Sequence, residues 1–91
     1  NTLFINAARG GLIDNNALVK YLENGHIGGA ALDVFEIEPI PKSHPILKCE
    51  QVIFTPHNAD LIPECIDALN EGAVQSIISF IEGNPVNIAN L

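Results

Sequence analysis

Three short apolar runs constrain this chain more than any other feature: Leu3-Phe4-Ile5, Ile27 to Val34, and Val52-Ile53-Phe54-Thr55. Each is too short for a buried helix, and each ends at residues that stop a strand. Between the first two lies a stretch of helical spacing, with Ala17, Leu18, Tyr21 and Leu22 along one face. Asp14 stands where an N-cap belongs and Gly25 where the chain must leave the helix, so the spacing predicts a helix from Asn15 to Asn24. After the third run, Pro56 stops the strand and Pro63 suits a first helical position. Ile66, Leu69, Ala73, Val74, Ile77, Ile78 and Ile81 then trace one apolar stripe, until Gly83-Asn84-Pro85 ends the helix. Strands that are apolar throughout and alternate with helices predict an α/β fold, with a parallel sheet covered on both faces.

The linkers are informative too. Gly10-Gly11 allows a sharp turn after the first strand. Residues 36–50 contain Pro39 and Pro41, which exclude a helix interior, and are expected to form an extended loop. Three strands make a poor sheet alone. The chain also lacks Met and opens inside a strand-like run, so the sheet is expected to continue upstream in a longer protein.

Composition removes several function classes. The formal net charge is −7, with four basic residues against eleven acidic ones, so no basic patch is available for nucleic acid or an anionic membrane. No apolar run is long enough to span a bilayer and no secretory leader is recognisable. Cys49 and Cys65 have no metal-type spacing, so no metal site is expected, and they suggest free thiols in a reducing, cytoplasmic compartment.

In an open parallel sheet, ligands bind beyond the carboxyl ends of the strands. The first strand end offers Asn6 and Arg9, the second Asp33 and then Glu38, the third His57 and Asn58. Taken singly, each has an ordinary explanation: a surface arginine, a capping aspartate, a solvated loop glutamate, a hydrogen-bonded histidine. Taken together they put a guanidinium, an imidazole and two carboxylates on one rim, a set suited to a carboxylate-bearing substrate beside a general acid/base.

Three stretches carry a family resemblance. They are Asn6-Ala7-Ala8-Arg9-Gly10-Gly11-Leu12-Ile13-Asp14, Gly29-Ala30-Ala31-Leu32-Asp33-Val34-Phe35 with Glu38-Pro39, and Val52-Ile53-Phe54-Thr55-Pro56-His57-Asn58-Ala59. At these spacings the chain resembles the C-terminal part of the NAD-binding domain of the D-isomer-specific 2-hydroxyacid dehydrogenases. The likeness implies an incomplete Rossmann-like fold over residues 1–83, with 84–91 as a tail. It also implies hydride transfer between nicotinamide and a small 2-keto or 2-hydroxy acid of phosphoglycerate, glyoxylate/hydroxypyruvate or D-lactate type. By the same likeness Arg9 binds substrate, His57 is the acid/base and Glu38 is its partner. Asp33 bonds the nicotinamide carboxamide, and the backbones of Ala7-Ala8-Arg9 and His57-Asn58-Ala59 approach the ring. The cofactor implied is NAD, with NADP left open, and the full-length protein implied is a homodimer.

Two residues depart from the family pattern: Asp60 replaces a usual Gly, and Ile62 a Thr that often caps the last helix. The Gly-x-Gly-x-x-Gly fingerprint and the acidic residue for the adenosine ribose are both missing. The chain by itself is therefore expected to bind NAD weakly and not to turn substrate over. A non-catalytic NAD-binding or dimerisation module of the same fold is the alternative reading.

Overall fold

The computed structural model describes residues 2–89; positions 1, 90 and 91, the last two belonging to the expected tail, lie outside the described residues. The described chain divides into two compact units, one ending at Ala59 and one beginning at Asp60.

The first unit is built on a three-stranded parallel sheet in the order β1-β2-β3, with β1 at Thr2–Asn6, β2 at Ile27–Leu32 and β3 at Val52–Phe54. Helix α1, Asn15–Glu23, joins β1 to β2. Its start follows from Asp14, whose side chain accepts the N–H groups of Asn16 and Ala17 at 2.9 and 3.0 Å. Its end follows from Gly25, which takes the left-handed φ of 75°.

The buried face of α1 differs from the one expected. Leu18, Val19 and Leu22 enter the core, whereas Tyr21 is exposed and meets His26 edge-on. The helix is rotated so that Val19, rather than Ala17 and Tyr21, completes the stripe beside Leu18 and Leu22. Alternation along the strands supplies the opposing layer. Ala30, Leu32 and Val52 are buried against the helix, with Phe4 and Phe54 packed beside them.

Leu3, Ile5 and Ile53 point to the other face and are 70%, 73% and 69% exposed. Within this unit the sheet is thus covered on one face only, not on both as expected. The reason is that α1 and the segment around Ile46 pack on the same side.

Residues 36–50 are not wholly extended either. Pro45–Lys48 forms a 3-10 helix, capped by His44, whose Nδ1 accepts the Ile46 N–H at 3.2 Å. Pro45 supplies the fixed φ of a first helical residue, and fully buried Ile46 anchors the turn in the core. Cys49, next in the chain, is a buried free thiol whose pKa is raised by that burial and by the charge of Glu23.

The second unit is organised by α2, Pro63–Ile81. Pro63 is at the first turn as expected, and Ile62 occupies the N-cap without a side-chain cap bond. Gly83, at φ 80°, carries the chain out of the helix. Leu69, Val74 and Ile77 of the apolar stripe are each more than half exposed. No helix among the described residues is long and apolar enough to cross a membrane.

Candidate active site

Because the three strands run parallel, their carboxyl ends open on one rim. Each end is tied to its neighbour by backbone: the Asp33 N–H donates to the Asn6 carbonyl at 3.0 Å, and the Thr55 N–H to the Leu32 carbonyl at 3.1 Å.

At the end of β1, buried Asn6 shapes the turn that presents Arg9. Its Nδ2 donates to the Arg9 carbonyl at 2.9 Å and its Oδ1 accepts the Ala8 N–H at 3.1 Å. Ala7, Ala8 and Arg9 are exposed on this turn. The Arg9 Nη1 donates to the Ala8 carbonyl at 2.7 Å, and its charge reaches both Glu38 and His57. Gly10 follows, set directly against the backbone of Phe35 and Glu36: a Cβ there would stand 1.9 Å from the Phe35 carbonyl carbon. Only glycine permits that approach, and it fastens the Arg9 turn to the loop carrying Glu38.

Glu38 is gripped at both oxygens. Its Oε1 accepts the Phe35 N–H at 2.8 Å, and its Oε2 pairs with the Nδ1 of His57 at 2.7 Å. The bond to His57, and then that from Phe35, holds the Glu38 carboxyl below its ordinary pKa. The same bond and the Glu38 charge raise the His57 imidazole above its ordinary value, against smaller opposing effects from desolvation and then from Arg9. With Nδ1 committed to Glu38, Nε2 is the nitrogen left to exchange a proton with a reacting group.

Asp33 lies at the end of β2 and is only 5% exposed. Its Oδ1 accepts the Thr55 hydroxyl and the Asn58 N–H, the latter at 3.0 Å, and its Oδ2 accepts the Ala59 N–H at 3.0 Å. These donors lower its pKa, the Thr55 hydroxyl most and the Asn58 N–H next. Between them His57 adopts a left-handed φ of 54°, a costly conformation for a residue with a Cβ.

A cavity of about 450 Å³ adjoins this group, lined by Asp33, Glu38, Thr55 and His57 together with apolar Phe35, Ile40, Leu47 and Phe54. The structure therefore brings Asp33, Glu38 and His57 to one cavity, with Arg9 in electrostatic range. Ala7, Ala8, Asn58 and Ala59 sit on the same rim but do not line it. Thr55 and Gly10 are not among the expected site residues. The signals for Thr55 are a hydroxyl at a strand terminus and a place in the stretch that leads to His57.

A nicotinamide fits what the rim offers. A carboxylate has about four acceptor positions, and the Asp33 side chain uses three, leaving one on Oδ2 for a carboxamide N–H. Exposed Ala7, Ala8 and Ala59 put little bulk beside it.

Comparison with known proteins bears on the fold that carries this rim. The family described as "D-isomer specific 2-hydroxyacid dehydrogenase, NAD binding domain" matches residues 1–59. A glyoxylate reductase of Thermofilum pendens is 46% identical over 79 residues, 87% of this chain and 23% of that protein. A D-3-phosphoglycerate dehydrogenase of Methanocaldococcus jannaschii is 42% identical over all of this chain and 18% of its own length. Among solved structures, a D-isomer specific 2-hydroxyacid dehydrogenase of Xanthobacter autotrophicus Py2, in complex with NADPH and MES, superposes with a TM-score of 0.69 at 41% identity. That match covers 93% of this chain and 34% of the solved one. The chain thus spans between 15% and 27% of the length of the curated relatives it matches.

Proposed function

Since this chain belongs to the D-isomer specific 2-hydroxyacid dehydrogenase family, we propose that its rim supplies the substrate-holding and acid/base groups of an NAD(P)-dependent oxidoreductase acting on a small 2-keto or 2-hydroxy acid. Residues 1–83 belong in this reading to the nucleotide-binding portion. The observation that carries it is the His57–Glu38 pair at 2.7 Å, on the rim that also bears Arg9.

Arg9 holds the substrate carboxylate, its fork of donors fixing the keto carbon in one pose. Glu38 keeps the proton on Nδ1 of His57 and favours the imidazolium, so Nε2 holds its proton to higher pH than an ordinary imidazole does. In reduction, Nε2 gives that proton to the carbonyl oxygen, and Nδ1–H stays on Glu38. In oxidation, the neutral Nε2 removes the proton from the hydroxyl. The nicotinamide, when bound, supplies or takes the hydride. Asp33 would hold its carboxamide through the open Oδ2 position, beside the backbones of Ala7, Ala8, Arg9, His57, Asn58 and Ala59. Choice between NAD and NADP is made at the adenosine ribose, beyond these residues.

Glyoxylate is the first substrate to try, because a glyoxylate reductase is among the most similar relatives. Free Cys49 and Cys65 support a reducing, cytoplasmic setting. The exposed apolar residues of α2 support a homodimer of the longer protein. Keeping all four site residues favours catalysis over a purely binding module.

A chimera tests the proposal: residues 1–83 replace the matching segment of the Thermofilum pendens enzyme. It should reduce glyoxylate with NADH or NADPH. His57→Gln and Arg9→Ala should each lower kcat/KM by about a hundredfold or more. A folded chimera whose turnover survives both substitutions overturns the proposal.

A further inference from the structure

We propose that Thr55 is a positioning residue, and that its hydroxyl bond to Asp33 is the closing contact of a clamp that holds the His57 backbone in its left-handed turn. This rests on the reading of His57 as the acid/base. It goes beyond it by giving Asp33 a second task, turned inward to the protein rather than outward to the cofactor.

The geometry is that of a bracket. The loop leaves β3 at Thr55 and returns past Ala59, and one buried carboxylate takes a donor from each side of His57: the Thr55 hydroxyl before it, the Asn58 and Ala59 N–H groups after it. Pro56 fixes one further φ within the bracket. A non-glycine residue keeps a left-handed backbone only where its surroundings over-determine it. Here the over-determination is visible: three bonds converge on a group that β2 fixes in place, and His57 at φ 54° sits between them. No donor among the three reaches His57 itself, so the clamp sets where the ring stands and leaves the ring nitrogens to Glu38 and the substrate.

The clamp is also fastened from the chemistry side. The ring faces Glu38 from the loop after β2, Asp33 at the β2 terminus and Arg9 beyond β1, and each acts on its charge state. Turning the His57 backbone lengthens the 2.7 Å contact to Glu38, and the proton affinity of the ring changes with it.

Thr55→Val keeps the shape of the side chain and removes the hydroxyl, and Thr55→Ser restores it without the methyl group. The experiment is an NMR pH titration of the His57 imidazole in the 91-residue chain, with amide spectra recorded on the same samples. The parallel measurement is kcat/KM against pH in the chimera. In Thr55→Val the His57 midpoint should fall toward the ordinary imidazole value of about 6.5. Amide shifts should be confined to residues 55–59, and kcat/KM should drop by about ten- to a hundredfold, the scale of a misplaced catalytic group. Thr55→Ser should recover both. An unchanged midpoint in a folded Thr55→Val chain overturns the clamp. So does a Ser variant that behaves like Val, because the hydroxyl would then not be the active feature. If Thr55→Val unfolds the chain, Thr55→Ala, which also lacks the hydroxyl, decides: a lowered midpoint supports the clamp, an unchanged one overturns it. Failure of the underlying reading is distinct, since it shows as chimera turnover indifferent to His57→Gln whatever Thr55 does.

Discussion

Gly10→Ala should damage this protein far more than its size suggests, and Gly11→Ala, one residue on, should not. A Cβ at position 10 would lie 1.9 Å from the Phe35 carbonyl carbon, 2.2 Å from its oxygen and 2.3 Å from the Glu36 nitrogen. Ordinary contact begins near 3.4 Å, so the backbones must part by about 1.5 Å at the tightest point. All three obstructing atoms are main chain, and none can swing away as a side-chain tip would. Overpacking of this kind costs about 1–3 kcal/mol, and each kcal/mol lowers Tm by roughly 4–8 °C in a domain of this size.

The displaced residues also place Glu38, whose Oε1 accepts the Phe35 N–H at 2.8 Å. A shift of that order breaks this bond or transmits it to the His57 pair. Position 11 has nothing within 4 Å of its added Cβ, so Gly11→Ala controls for chemistry and backbone entropy. Circular-dichroism melting of both variants, with the His57 titration on each, is the assay. Gly10→Ala should melt well below Gly11→Ala and show a lowered His57 midpoint. Equal melting temperatures with equal midpoints would refute the reasoning.

Further outcomes follow from the same contacts. His57 is raised and Glu38 lowered in the folded chain, so their pair adds stability only between the two folded pKa values. The His57 part is complete below its unfolded pKa and lost as pH rises through the folded value. The Glu38 part is present above its unfolded pKa and lost as pH falls through the folded value. Glu38→Gln should flatten that dependence and return the His57 midpoint toward about 6.5, read by NMR and by melting at several pH values. Ile46→Ala empties a fully buried site and should cost about 2–5 kcal/mol in a denaturant titration. Ile62→Thr places a capping hydroxyl where α2 has no side-chain cap and should raise helix stability by about 1 kcal/mol, measured by thermal melting.

Much of the fold was legible because local chemistry and global topology agree. Asp14, Gly25, Pro63 and Gly83 punctuate the helices where their capping preferences place them, and the three apolar runs are the three strands. The rim was legible for the same reason: parallel strands deliver the residues after each of them to one edge. Other features needed contacts between residues far apart in the chain. The α1 stripe could be drawn through Ala17 and Tyr21 or through Val19, and only packing against Ala30, Leu32 and Ile46 selects the latter. The prolines near position 40 masked the 3-10 turn after His44, whose cap and buried Ile46 become visible only in three dimensions. The inward work of Asp33 was hidden too, since its partners stand 22 to 26 positions away.

The proposed chemistry depends on one proton held at Nε2 of His57 by the pairing with Glu38. The most direct test is the pH dependence of kcat/KM for the chimera in both directions, which reports the free enzyme's essential groups. Glyoxylate reduction should fall, and oxidation of the matching hydroxy acid should rise, each through a midpoint above that of its Glu38→Gln counterpart. Two limbs of the same sign, or limbs that persist unchanged in Glu38→Gln, would contradict it.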